Sequence, residues 1–118
     1  MENSIVYKSL LYDFYGELLT DKQNSIIDLY YNHDLTLSEI SENTGISRQG
    51  VYDTLKRAEN ALDRYEKKLK LVERFSKHNM LIVEVNSKLE KILNSNIDDV
   101  KEIRKKLIEI KNIIKKIM

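Results

Sequence analysis

The sequence predicts an all-α protein, and three observations support that prediction. The 118-residue chain has no Pro and only three Gly, at Gly16, Gly45 and Gly50, so beyond residue 50 it has few means of ending a helix. Its apolar residues recur at steps of three and four along most of its length. Its first half contains two short helical patterns joined by a Gly turn. We expect a helix-turn-helix head over residues 1–60 and a long-helix extension over residues 61–118, either in the same compact domain or as an arm.

The first helix is predicted from Asn3 to Tyr15, with Gly16 ending or bending it. Its apolar face is formed by Val6, Tyr7, Leu10, Leu11, Phe14 and, beyond the helix, Leu18. Tyr12 and Tyr15 are off this face. Their rings either lie against neighbouring helices with the hydroxyls in water, or form an exposed aromatic patch for a protein or RNA partner. We favour the first interpretation.

The second helix is predicted to begin after Thr20, because Gln23 stands at the spacing of a reciprocal capping box. Its inward residues are Ile26, Ile27 and Tyr30. A polar turn follows over residues 32–34. His33 is interpreted as a turn residue, because no Cys, second His or carboxylate cluster accompanies it in the sequence.

The next stretch has the pattern of a helix-turn-helix. Thr36 and Glu39 form a second capping box ahead of a helix whose inner face carries Leu37, Ile40 and Thr44. Gly45 stands where the chain must turn, and a positive φ is expected there. Ser47 is expected to cap the next helix, whose inner residues are Val51, Leu55 and Ala58. Such a motif offers the outer face of its second helix to the DNA major groove, whereas an αα-hairpin without a nucleic-acid role is the alternative.

The extension is predicted from heptad spacing. One seam runs from Val51 to Val72, so the helix that begins after Ser47 is expected to continue to about Phe75 or to bend near Asn60. The polar residues 76–79 mark a slip to a second seam. The second seam comprises Phe75, His78, Ile82, Val85, Leu89 and Ile92.

Asn94 to Asn96 is a break signal, and Asn96 is expected to cap a last helix that opens with Asp98 and Asp99. The apolar stripe of that helix comprises Val100, Ile103, Leu107, Ile110, Ile114 and Ile117. A helix this apolar on one side must bury that side, either by folding back on the preceding helix or by pairing with another chain. We expect a two-fold homodimer formed through the extension.

Composition excludes several classes of protein. The chain has no Cys, which excludes disulfides and thiolate metal sites. It has neither a signal-peptide pattern nor a long uncharged apolar run, so we expect a cytoplasmic protein without membrane insertion. No phosphate-binding loop, nucleophile–His pair or metal spacing is present, so we expect no enzyme, no metal and no cofactor. The net charge of +1 requires that any nucleic-acid binding come from a local patch.

The run LTDKQNSIIDLYYNHDLTLSEISENTGISRQGVYDTLKRAENAL resembles region four of bacterial sigma factors. GISRQGVYDTLKRAE followed by YEKKLKLVERF, together with the opening MENSIVYKSLLYDFYGELLTDKQ, is similar to the YlxM family of small bacterial helix-turn-helix proteins. The genes of that family neighbour those of the signal recognition particle GTPase. The resemblance covers the chain to about Phe75. It implies a regulatory accessory protein that binds the particle's RNA, its GTPase or the GTPase receptor.

The alternative is a transcription regulator that binds DNA through the helix starting at Ser47. The sigma pattern, carried over, implies base reading by Arg48, Gln49, Tyr52 and Asp53. By their charge, Lys56 and Arg57 are expected to neutralise phosphates beside them. Arg48 and Gln49 suit guanine and adenine edges. Asp53 would be repelled by phosphates, which indicates a helix-turn-helix whose DNA reading is weakened. A helical adaptor that binds through its seams is a third hypothesis.

Overall fold

A computed structural model describes residues 4–95 and 98–118, and over these residues the chain is helical without any strand. The all-α prediction is therefore confirmed. The helices are α1 (Ile5–Tyr15), α2 (Asp21–Tyr31), α3 (Leu37–Thr44), α4 (Arg48–Leu69), α5 (Leu71–Leu93) and α6 (Val100–Ile117), with a 3₁₀ turn at Gly16–Leu18.

The chain divides into two compact units, one up to Val72 and one from Glu73 onward. The division predicted from the sequence, into a helix-turn-helix head and an extension at residue 60, is a different one, and it stays a prediction.

The helix starts follow the capping residues of the sequence. Thr20 with Gln23, and Thr36 with Glu39, form reciprocal capping boxes in which each side chain accepts a bond from the other residue's backbone N–H. Ser47 accepts from the backbone N–H of Gly50 and caps α4. The first helix begins later than predicted, because Ser4 caps it. Asn3 lies outside the described residues.

The core of the first unit is formed by α4 packing against α1, α2 and α3. Its buried residues are Leu11, Tyr15, Leu19, Ile26, Ile27, Ile40, Val51, Leu55, Ala58, Ala61, Leu62 and Val72. On α1 the predicted apolar face is wrong in part, because Val6 and Phe14 are exposed while Tyr15 is fully buried. Leu18 and Tyr30 are exposed as well, and Tyr31 packs against the core in place of Tyr30.

Tyr12 and Tyr15 lie against neighbouring helices, which agrees with the favoured interpretation, but their hydroxyls are bonded to side chains and not only to water. The hydroxyl of Tyr12 donates to Asn24 Oδ1, and the hydroxyl of Tyr15 donates to Glu66 Oε1 at 2.6 Å. The Tyr15 ring lies 6.0 Å from the ring of Tyr65. Burial and then the bond to Glu66 raise the pKa of Tyr15 above its ordinary value of 10.0.

The break between α4 and α5 falls at Lys70, so the predicted continuation to Phe75, the bend near Asn60 and the slip at residues 76–79 are all wrong. Lys70 adopts the left-handed conformation, with φ 55°. The next two backbone N–H groups are held by side chains: Leu71 N–H donates to the Tyr15 hydroxyl and Val72 N–H donates to Glu66 Oε1, both at 3.0 Å. These side-chain bonds stabilise a helix break at a place where the sequence has neither Gly nor Pro.

In the second unit, α5 and α6 pack through inner rows joined by an ion pair between Lys88 and Glu109 at 3.9 Å. Because six residues separate the helices, the pair is antiparallel. The inner rows are buried or half-buried and comprise His78, Leu81, Val85, Lys88 and Ile92 on α5, with Ile103, Lys106, Ile110, Ile113 and Ile117 on α6.

The predicted seams of α5 and α6 are therefore displaced by one position at several places. Ile82 and Leu89 are exposed, and the half-buried Leu81 and Lys88 occupy the inner positions in their stead. Asp99 caps α6 by accepting from the backbone N–H of Lys101. The predicted cap at Asn96 lies outside the described residues.

Gly45 has φ 76° and ψ 5°, as the predicted turn requires. Replacing it with Val is expected to lower the free energy of unfolding by about 2 kcal/mol, since L-residues are strained in this region. A Cβ would meet no heavy atom within 4 Å, so the cost comes from the backbone and not from a clash. The melting temperature should fall by about 10 °C. Gly45→Asn is the control and should cost less, because Asn tolerates this conformation; equal losses for both variants would contradict the explanation.

Candidate nucleic-acid interface

The first three turns of α4 present one face to the core and the opposite face to solvent. Val51, Leu55 and Ala58 are buried against α1, α2 and α3. All six residues that the sequence singled out are exposed on the outer side: Arg48, Gln49, Tyr52, Asp53, Lys56 and Arg57. The fold thus brings the six side chains together on one surface, which we call the α4 face.

The corner before α4 is fixed by hydrogen bonds from small polar side chains. The hydroxyl of Ser41 donates to the carbonyl of Ile46, and the hydroxyl of Thr44 donates to the carbonyl of Ile40. Ile46 N–H donates to Thr44 Oγ1 at 3.3 Å. Together with the left-handed Gly45, these bonds set the direction in which α4 leaves the turn, and hence the aim of the α4 face.

Two contacts within the α4 face limit what it can read. Gln49 Nε2 donates to Asp53 Oδ1 at 2.9 Å, so each of these side chains already has a polar partner. Lys56 Nζ lies 5.8 Å from the centroid of the Tyr52 ring, within the range of a cation–π contact. Arg48, Lys56 and Arg57 are the cations of this face and Asp53 is its carboxylate, giving a local charge of +2 (three minus one).

The next turn of α4 carries a network that the sequence analysis missed. Glu59 forms an ion pair with Lys8 at 3.0 Å and accepts from the Tyr31 hydroxyl at 2.7 Å, which links α4 to α1 and α2. Local spacing in the sequence cannot predict this network, because Lys8 and Tyr31 precede Glu59 by 51 and 28 positions. Lys8 is thereby neutralised and adds no charge to the α4 face.

The cavity beside this network has a volume of about 190 Å³ and is lined by Lys8, Tyr31, Lys56 and Glu59 among others. Small-molecule sites usually have volumes of about 300–1,000 Å³, so this cavity is too small to be one. Across residues 4–95 and 98–118, no group of three or more His, Asp or Glu side chains is placed to hold a metal ion. His33 lies in the turn after α2, 3.4 Å from Asp28.

No helix among the described residues has both the length and the apolar character needed to cross a membrane.

Comparison with known proteins agrees with this geometry. Residues 2–117 match the model of the UPF0122 family, whose description reads "Putative helix-turn-helix protein, YlxM / p13 like". A UPF0122 protein of Thermoanaerobacter sp. strain X514 is 53% identical over 92 residues, covering 78% of this chain and 73% of its own length. One from Caldanaerobacter subterraneus is 55% identical with the same coverage. One from Clostridium perfringens is 46% identical over 106 residues, covering 88% and 93%.

Proposed function

We propose that this chain, which belongs to the UPF0122 family of YlxM/p13-like helix-turn-helix proteins, is a nucleic-acid-binding regulatory protein. The observation that carries the proposal is the α4 face, which is the exposed surface of the second helix of the helix-turn-helix and carries three cations. Helices in this position contact the sugar–phosphate backbone and the base edges of nucleic acid. We further propose that it works in the cytoplasm, without catalysis and without a cofactor.

Within this function, we propose a role as an accessory protein of the signal recognition particle pathway, binding the particle's RNA or its GTPase. The family resemblance supports the pathway. The bond between Gln49 and Asp53 supports an accessory role over base reading, because it occupies the amide that would recognise adenine and keeps a carboxylate on the surface. The alternative is a DNA-binding transcription regulator that uses the same α4 face.

The α4 face is tested by replacing Arg48 and Arg57 with Ala. Affinity for the particle's RNA, or for duplex DNA if the alternative holds, is expected to fall by at least tenfold. The slope of log affinity against log salt concentration should become shallower by about two, one for each cation removed. Fluorescence anisotropy with each labelled nucleic acid measures both. The control is Lys67→Ala with Lys68→Ala, which removes two exposed cations from the last turn of the same helix. Equal losses in both double variants would place the site elsewhere.

We also propose a homodimer formed through the second unit. A third apolar row follows the inner rows by one position and comprises Ile82 and Leu89 on α5, with Val100, Leu107 and Ile114 on α6. These side chains are between 38% and 76% exposed. Since the same one-residue displacement in two antiparallel helices points to the same side, the row forms one face, which we call the third row.

A second copy of this chain fits the third row for two reasons. Helices that face the core of a bundle carry three apolar positions per heptad, and the chain itself covers only two of the three. From Val100 to Ile114 the face is about 21 Å long, and it is about 20 Å wide, so two copies would bury about 840 Å², the size of a weak and reversible interface. Two helix pairs stacked through this face would make a four-helix bundle.

A further inference from the structure

Charge is divided unequally between the two units. Up to Val72 the sequence holds 9 Lys and Arg against 12 Asp and Glu, a net charge of −3. From Glu73 onward it holds 11 against 7, a net charge of +4, and the two values sum to the +1 of the whole chain. The unit with the helix-turn-helix is therefore the acidic one, although polyanions are attracted to basic surfaces.

The positive charge of the second unit is concentrated on one side of α6. Five exposed cations lie on the side opposite the buried Ile110 and Ile113: Lys101, Arg104, Lys105, Lys111 and Lys115. We call this surface the basic face. It extends over about 21 Å, because fourteen residues separate its ends. Ile108 lies in its middle and is 51% exposed.

The carboxylates of α6 do not neutralise the basic face. Glu109 lies at one edge of the basic face, where it lines a depression with Lys105, and it pairs with Lys88 of α5. Glu102 is seven residues away on that same edge. Within the part of the chain that the structure describes, no cation of the basic face is in an ion pair. Lys101 with Lys105, and Lys111 with Lys115, are like charges four residues apart, an arrangement that destabilises a helix.

We infer that the basic face of α6 binds the phosphate backbone of a nucleic acid, at a site separate from the α4 face. The inference rests on the proposed nucleic-acid-binding function and names a second surface for it. Five cations spread over about 21 Å can each meet a phosphate along a duplex, and backbone contacts need no base recognition. A solvated surface normally mixes both signs of charge and so avoids the like-charge pairs found here.

A lipid membrane fits the basic face less well. A helix that lies on a membrane inserts the apolar side opposite its cations into the lipid. In α6 that opposite side is occupied by Ile110 and Ile113, which are buried within the protein. Only Ile108 offers an apolar side chain on the basic face itself.

The test removes four charges with Lys101→Gln, Lys105→Gln, Lys111→Gln and Lys115→Gln. Because both like-charge pairs disappear, the variant is expected to fold at least as well as the wild type, which circular dichroism checks. Anisotropy is measured with duplexes of RNA and of DNA, about 20 base pairs long, between about 50 and 300 mM salt. For the wild type, the slope of log affinity against log salt concentration is expected to correspond to more than three neutralised phosphates, which the three cations of the α4 face alone cannot supply. In the variant, this slope should become shallower by about three and the affinity should fall by at least tenfold, for every nucleic-acid sequence tried.

The matched control also removes four charges, with Lys67→Gln, Lys68→Gln, Lys77→Gln and Lys91→Gln, all exposed in the structure. If this control loses as much slope as the α6 variant, net charge explains the binding and the inference fails. Binding of the wild type to phosphatidylglycerol vesicles, but to neither duplex, would also overturn it.

The Arg48 and Arg57 double variant separates the two proposals. If that variant alone loses binding, the inference about α6 fails while the proposed function stands. If only the α6 variant loses binding, the inference stands and the α4 site fails.

Discussion

Replacing Tyr15 by Ala is expected to lower the free energy of unfolding of the first unit by about 4 kcal/mol, and a marginal domain would then be largely unfolded at physiological temperature. The side chain is fully buried in the core and its ring lies beside that of Tyr65. Its removal leaves a cavity and also takes away the acceptor of the Leu71 N–H group and one of the donors to the Glu66 carboxylate. Urea denaturation followed by circular dichroism measures the loss.

Tyr15→Phe separates the hydroxyl from the ring. This variant keeps the packing and is expected to cost about 2 kcal/mol, because it leaves the Leu71 N–H group without its acceptor. The pKa of Tyr15 is raised, so the stability that it contributes is complete below pH 10 and is lost as the pH rises beyond that value. The Phe variant should therefore lose less stability than the wild type between neutral and strongly alkaline pH. A loss below about 0.5 kcal/mol at neutral pH would show that the hydroxyl does not hold the junction.

Leu107→Glu combined with Ile114→Glu is expected to convert a dimer into a monomer of 13.9 kDa. Both residues lie in the third row on α6, where burial of two carboxylates per copy in an apolar interface is strongly unfavourable. Light scattering at micromolar concentration measures the mass. The control is Ile108→Glu on the basic face, about as exposed as Leu107 and on the same helix, and it should leave the dimer intact.

Two outcomes would contradict the proposed interface. A wild-type mass of 13.9 kDa that does not change with concentration would exclude a dimer altogether. A dimer that survives the double substitution, but that Ile108→Glu dissociates, would move the interface from the third row to the basic face and would count against phosphate binding there.

Local chemistry made much of the first unit predictable from the sequence. Thr20, Thr36 and Ser47 cap helices through bonds to residues three positions away, and Gly45 meets a backbone requirement that few other residues can meet. Such interactions depend on neighbours in the chain, so a single sequence contains them. The exposure of the α4 face followed from the spacing of Val51, Leu55 and Ala58 in the same way.

The features that were missed depend on residues far apart in the sequence. Lys70 has no intrinsic preference for a left-handed conformation, and the break there relies on Tyr15, 55 positions earlier in the sequence. On α5 and on α6 the apolar residues occupy three adjacent rows. Spacing alone could therefore not decide which two of the three rows on each helix face the other helix. The ion pair between Lys88 and Glu109 depends on Lys88 lying in the inner row of α5, which the sequence did not predict. What the α4 face binds depends on a partner, which no spacing within the chain specifies.

The side-chain bonds at the start of α5 have a consequence for amide hydrogen exchange. The N–H groups of Leu71 and Val72 are bonded to Tyr15 and Glu66 rather than to a preceding turn of their own helix. Fraying of the rest of α5 therefore does not free them. An opening that lifts α1 off the core frees the Leu71 N–H group, because its acceptor is on α1, whereas the acceptor of the Val72 N–H group is on α4. The Leu71 amide should exchange at the rate of the α1 core residues, many times more slowly than the first amide of a helix normally does. Protection of the Leu71 amide, just beyond the end of α4, would therefore report whether α1 is docked on the core.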